Sequence, residues 1–294
     1  MRSLKLFIAS LSLMLASSLM PLRFAQVNAQ RNPPSAGTVI FSLRKFDASQ
    51  PIYMEPIVII SGGKYNAPPI DAEDAVTKKF TNTYFSSGRQ YRIVFGGGDA
   101  GTLTVQKVVV PGCEGLGAEV SVQTTARIGG EVKALAVSSD KIGRGESSRR
   151  APTDEERAAA LEVARAVYGQ RGVGAALVKK MKTVNLTATD INRDGKVELI
   201  GSFNIEGANY VMYSLFVIFE PTGTGKYKAA WNWYHKGAED AFEDRTLLDV
   251  VDLDGDGIAE VIADGHYYES NDYIIYKRTA GVWRPIYKGG GGGC

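Results

Sequence analysis

The chain has 294 residues, of which 44% are hydrophobic and 22% charged, and its formal net charge is +2. So near-neutral a balance gives no sign of a nucleic-acid or acidic-membrane partner, both of which call for a basic surface. With only two cysteines it is no disulfide scaffold, and neither of its two histidines lies in a His-Glu-x-x-His zinc pattern.

Arg2 and Lys5 precede an apolar run from Leu6 to Met20, Pro21 breaks it, and Val27-Asn28-Ala29 has small residues at cleavage spacing. The pattern predicts a signal peptide over residues 1–29, cleaved near Ala29, and hence a secreted or periplasmic protein. The run falls short of the roughly 20 residues of a membrane span. Nothing later is apolar enough to cross, so no transmembrane span is expected after cleavage. Residues 30–36 read as an extended linker.

Residues 37–139 read as an N-terminal β region. Thr38–Arg44, Ile57–Ile60, Tyr91–Phe95, Thr102–Val110, Ala118–Thr125 and Val132–Val137 are β-rich runs bounded by Gly or Pro. The Gly96 to Gly101 cluster lacks the following helix that a phosphate-binding loop requires, and is read as a hairpin turn. Residues 140–152, polar and glycine-containing, form a second linker. A helical bridge follows over 153–181. Thr153 and Glu156 make a capping box, Leu161, Ala164 and Tyr168 line one face, Gly169 is a stop, and a shorter piece spans Ala175 to Met181.

From 182 to 288 two units repeat, each a strand, an acidic loop, two strands, a turn and a strand. In the first unit's third strand Val211, Tyr213, Leu215, Val217 and Phe219 point one way, and Met212, Phe216 and Ile218 the other. A strand apolar on both faces belongs to a sheet covered on both sides. Residues 289–294 read as a flexible Gly-rich tail ending in Cys294. An exported protein can join Cys294 to Cys113, and the sequence leaves the paired and unpaired states equally open.

The two acidic loops carry the clearest chemistry. The first offers Asp190, Asn192, Asp194 and Glu198 at positions one, three, five and nine; the second offers Asp252, Asp254, Asp256 and Glu260. Gly195 and Gly257 stand at position six, and Lys196 and Ile258 at position seven would each give a backbone carbonyl. Alternate oxygens on a tight turn suit Ca²⁺, a hard cation taking six to eight oxygen ligands. Position twelve is Gly201 or Ala263 in place of the bidentate Glu of an EF-hand, and an apolar strand follows, so a strand–loop–strand hairpin is expected. The second loop has more acids and no cation beside it, whereas the first carries Arg193 and Lys196; the second is therefore expected to bind Ca²⁺ more tightly.

These loops and their strands, residues 183–288, resemble the FG-GAP/VCBS calcium-binding repeats of integrin-like β-propellers, whose loop is Asp-x-Asp-x-Asp-Gly-x-x-Asp. The resemblance implies Ca²⁺ held between the first two strands of a four-stranded blade, and adhesion, carbohydrate-binding or structural roles. The expected fold is mainly β, with antiparallel, four-stranded, blade-like repeats in a propeller-like arrangement, an N-terminal β region and one bridging helix. Two blades do not close a ring of four to eight. Either residues 37–139 supply more blades or the pair stays open.

No Gly-x-Ser-x-Gly elbow or open zinc motif is present, and the densest acids are committed to the loops. A non-enzymatic role is therefore expected, with an extracellular or envelope protein or a carbohydrate as partner; an exported hydrolase acting on polysaccharide or cell envelope is the alternative. Trp231, Trp233, His266 and Tyr268 are candidates for a ligand surface, with Trp231, Trp233 and His235 expected on one strand face with Tyr227.

Overall fold

The computed structural model describes residues 37–45, 49–69, 75–109, 115–130 and 132–293. The leader, its cleavage site, the 30–36 linker, Cys113 and Cys294 lie outside the described residues.

In β1 (Thr38–Arg44), Val39, Phe41 and Leu43 enter one core while Ile40 enters another. That alternation follows from the two-residue period of a strand, and it means that both faces of β1 are covered. The first core is the interior of a barrel. Strands β2 (Ile52–Ser61), β4 (Gln90–Phe95), β5 (Gly98–Val109), β6 (Gly117–Thr124) and β7 (Ala134–Val137) join β1 in the order β1-β7-β4-β5-β6-β2, and β1 pairs with β2 to close it. The short β3 (Lys64–Asn66) hangs on β2 as a hairpin. Closure leaves these six strands without a free edge. Helix α1 (Ala75–Tyr84) adds Phe80 to the interior, where Phe85, Phe41 and Tyr91 also pack. The sequence reading has no helix here, because α1 buries only Thr77 and Phe80 and so carries little apolar periodicity.

The chain then crosses to α2 (Asp154–Gln170), whose capping box is formed: Thr153 Oγ1 accepts from the Glu156 N–H and a Glu156 carboxylate oxygen accepts from the Thr153 N–H. The 140–152 segment is docked along its length. Asp99 donates its N–H to the Gly145 carbonyl, Arg150 exchanges two backbone hydrogen bonds with Ala188, and the Arg149 side chain is buried against Asp249.

After the short α3 (Ala175–Val178) come two antiparallel four-stranded sheets. The first is β8 (Lys182–Thr189), β9 (Glu198–Glu206), β10 (Met212–Gly223) and β11 (Lys226–Gly237); the second is β12 (Glu243–Val251), β13 (Glu260–Tyr267), β14 (Asn271–Thr279) and β15 (Val282–Gly289). Each pairs in chain order. The first sheet lies between two apolar layers, as the two-faced β10 requires. Leu215, Val217 and Phe219 meet Ala160, Ala164, Val167 and Tyr168 of α2, while Phe216 and Ile218 meet Leu247, Val261, Ile274 and Tyr276 of the second sheet. The opposite face of the second sheet, with Leu248, Ile262, Tyr273 and Ile275, packs on Ile40, Ile57, Val58, Val94 and Leu135 outside the barrel.

The protein is thus mainly β and antiparallel, with one closed barrel and two stacked sheets. No ring of blades is formed among the described residues: of the two alternatives, the one in which residues 37–139 supply more blades is not met, since their strands close into a barrel of their own. Among the described residues the apolar face of α2 packs on the first sheet. The Gly-rich segment is also more than a loose tail. Gly292 and Asn271 hydrogen-bond through the Asn271 N–H and side chain, and Gly290, at φ +69°, runs so close to β2 that a Cβ there would stand 2.6 Å from the Ile57 carbonyl oxygen.

Candidate functional site

The two acidic loops have one design. In the first, the Asp190 carboxylate accepts from the Asp194 and Gly195 N–H groups, Asp194 from the Lys196 N–H at 2.8 Å, and Glu198 from the Ile191 N–H at 3.0 Å. In the second, Asp252 accepts from Gly255 and Gly257, Asp256 from Ile258 at 2.9 Å, and Glu260 from Leu253 at 2.8 Å. Gly195 at φ +81° and Gly257 at φ +85° make the same left-handed turn. Each carboxylate at position five or nine gives one oxygen to a backbone N–H and keeps the other free of the backbone. The loops are also tied to each other, since Ala259 donates its N–H to the Ile191 carbonyl at 2.9 Å.

They differ in what faces those other oxygens. In the second loop, ligand oxygens of Asp252, Asp254 and Glu260 lie within 4.8 Å of one another, the one such acidic group among the described residues. Lys277 of β14 reaches into this loop. Its ammonium donates to Asp254 Oδ2 at 2.6 Å, Asp256 Oδ2 at 2.7 Å and Glu260 Oε1 at 2.9 Å. This corrects the reading that the second loop has no cation beside it. Lys277 is distant in sequence, but β13 pairs with β14 at Val261 and Tyr276, which sets Lys277 opposite Glu260. In the first loop, Lys196 stands 3.6 Å from Asp194, with both side chains exposed, where solvent screens the pair. Asn192 accepts from the Asp194 N–H at 3.2 Å. Burial pushes the Glu198 carboxyl up to about 7 and that of Glu260 up to about 6, the Lys277 ammonium opposing the shift at Glu260.

Both loops open on one cleft of about 480 Å³. Asp190, Arg193, Asp252 and Asp254 line one side, and Gly96, Gly97, Lys141 and Arg144 line the other. The Gly96 N–H donates to both oxygens of the buried Asp249, at 2.9 and 3.0 Å, and Arg149 meets the same carboxylate at 3.2 Å. These contacts fix the barrel's β4–β5 turn against β12, the strand that leads into the second loop.

A second polar centre, which the sequence reading missed, joins the barrel to the second sheet. Tyr273, fully buried, gives its hydroxyl to Glu55 at 2.9 Å and is met by Ser42 at 2.7 Å and by the Arg44 guanidinium. Arg44 pairs with Glu55 at 2.9 Å, and Lys133 with the fully buried Asp264 at 2.5 Å. His266 lies between Asp244, at 2.8 Å, and Asp264, at 3.3 Å. These two carboxylates raise the imidazole to about 9 against the opposing cost of burial, while Lys133 and His266 hold Asp264 well below the usual carboxylate range although burial alone would raise it. The one sequence signal for it is the pair of polar residues, Ser42 and Arg44, at alternate positions of the otherwise apolar end of β1.

The candidate ligand surface is divided by the fold. Trp231 and Trp233 are half-buried against the layer between the two sheets. Trp231 packs on Tyr276 at 4.3 Å between ring centroids, and Arg245 lies 4.0 Å over Trp233. His266 belongs to the buried ion network, and Tyr268, 57% exposed, lines a separate cleft with Tyr210, Met212 and Phe242. Tyr227 does not share a face with Trp231 and Trp233. A bulge at Ala230, between the Ile218–Trp231 and Phe219–Ala229 pairs, sends Tyr227 to the α2 side.

No protein-family profile matches this chain, and no curated protein and no solved structure matches it either.

Proposed function

We propose that this chain is an exported, calcium-organised β-repeat protein that works by binding an extracellular or envelope protein or carbohydrate, or as a structural unit, and not by catalysis. The observation that carries the reading is the repeated loop: the same backbone-to-carboxylate hydrogen bonds at positions five and nine are built twice, and in the second loop oxygens of Asp252, Asp254 and Glu260 come within 4.8 Å of one another. Such a cluster demands a cation, since converging carboxylates repel one another. The donor set fits Ca²⁺, which accepts irregular all-oxygen coordination. Asp190, Asn192, Asp194 and Glu198 would hold it in the first loop with the Lys196 carbonyl, and Asp252, Asp254, Asp256 and Glu260 in the second with the Ile258 carbonyl. Bound there, the ion would neutralise the two hairpins that wall the shared cleft, which makes that cleft the natural seat for a partner.

The reading is tested by thermal melts in EDTA and in millimolar Ca²⁺. An ion held at 100 times its Kd adds about 2.7 kcal/mol per site, enough for a shift of several degrees. Coincident curves would reject calcium as the organising ion.

A further inference from the structure

The second loop already contains a cation. We propose that Lys277 is the resident cation of that loop and competes with metal there, so that the calcium response belongs to the first loop; this rests on the calcium reading of the loops and reverses the order expected from their charge count.

Three features of the geometry carry it. First, the three N–H bonds of one ammonium are matched to three carboxylate oxygens at 2.6, 2.7 and 2.9 Å. Second, two of these are oxygens an incoming ion cannot do without. Asp256 Oδ1 and Glu260 Oε2 are held by the Ile258 and Leu253 N–H groups, which leaves Asp256 Oδ2 and Glu260 Oε1 for a metal, and both are occupied by Lys277. Third, the ammonium is tethered through β14 and its side chain is only 17% exposed, so it competes at the high effective concentration of an intramolecular ligand.

The first loop has the opposite endowment. Lys277 follows the Val261–Tyr276 pair, and the residue that follows the matching Leu199–Phe219 pair is Glu220. Glu220 turns away to Arg278 at 2.9 Å, the Trp283 N–H at 3.1 Å and Lys228 at 3.3 Å. Among the described residues the ion pair to the first loop's carboxylates comes from the exposed Lys196, while the Arg193 guanidinium lies against Gly145. Solvent screening leaves that pair weak, and an ion can displace it.

The test is calorimetric titration of the full chain with CaCl₂, comparing the unaltered protein, Lys277→Met, Asp194→Asn and the double variant. The unaltered protein should show one binding event, lost in Asp194→Asn. Lys277→Met should add a second event that persists in the double variant and is at least about tenfold tighter than any residual event in Asp194→Asn, as expected when a site gains free carboxylates. Should Lys277→Met fail to fold, Lys277→Gln keeps the length and removes the charge; its melting temperature in EDTA should fall below that of the unaltered protein and recover in millimolar Ca²⁺ by more than the unaltered protein gains. Two events in the unaltered protein, both unchanged by removing Lys277, would overturn the proposal and leave the calcium reading intact. A Lys277 variant that neither gains an event nor recovers with Ca²⁺ would also overturn it. The absence of any event in the unaltered protein would instead count against the calcium reading of the first loop.

Discussion

Position four separates the two loops as sharply as their cations do. It is Gly255 at φ +82° in the second loop, but Arg193 at φ +55° in the first. A residue with a Cβ pays roughly 1 kcal/mol or more for that left-handed conformation. Arg193→Gly should therefore stabilise the metal-free protein by about 0.5–1 kcal/mol in urea unfolding, while Gly255→Arg should cost a similar amount. The ion network between barrel and second sheet makes a different demand. Removing one partner of a buried ion pair strands the other, so Asp264→Ala should cost about 3–5 kcal/mol, and Tyr273→Phe, which removes a single hydroxyl from the same network, about 1–3 kcal/mol. His266 adds a pH dependence. Its folded value of about 9 lies above the ordinary 6.5 because Asp244 and Asp264 face it, with Lys133 opposing. A raised value means stability that is fully present below pH 6.5 and lost as the pH climbs through 9. The fall in melting temperature between pH 6.5 and 9 should be shallower in His266→Gln; identical profiles would show that the imidazole contributes nothing to it.

The first sheet's β10 shows what a single strand can tell in advance. Its apolar residues on both parities require cover on both sides, and α2 and the second sheet provide it. Phe216→Ala and Phe219→Ala, on opposite faces of β10, should each cost about 3–5 kcal/mol in denaturant unfolding. A sheet with one wet face would leave one of them near zero. The acidic loops were legible for a related reason, because their ligands lie within nine residues and their spacing is set by one turn. The parts that were hidden depend on pairing between strands. Lys277 acquires its place from the β13–β14 register, and Tyr227 loses its expected face through the one-residue bulge at Ala230. Neither register nor bulge leaves a mark in local composition, since a one-residue slip reverses every side chain without changing the sequence.

The stack of helix, sheet, sheet and barrel is held at its barrel end by apolar packing and also by backbone. A run of five glycines looks like a flexible linker because composition records the absence of side chains but not the reason for it. Here the reason is close approach. Gly289, Gly290 and Gly291 adopt φ of +157°, +69° and +79°, and at Gly291 a Cβ would stand 2.1 Å from the Asn271 carbonyl oxygen. The segment lies along β2 on one side and the β13–β14 turn on the other, so it ties the barrel to the second sheet in parallel with the packing of Ile57 and Val58 on Tyr273. Gly290→Ala therefore meets two penalties, an unfavourable φ and a carbonyl oxygen at 2.6 Å, and should lower stability by about 1–3 kcal/mol. Because the contact spans barrel and sheet, the loss should appear as a shift of one cooperative transition, followed at once by tyrosine fluorescence and far-ultraviolet circular dichroism. Gly223→Ala, at a glycine with open space around it, is the matched control and should leave the melt unchanged. Equal melts for Gly290→Ala and Gly223→Ala would mean that the glycine run is a free tail after all.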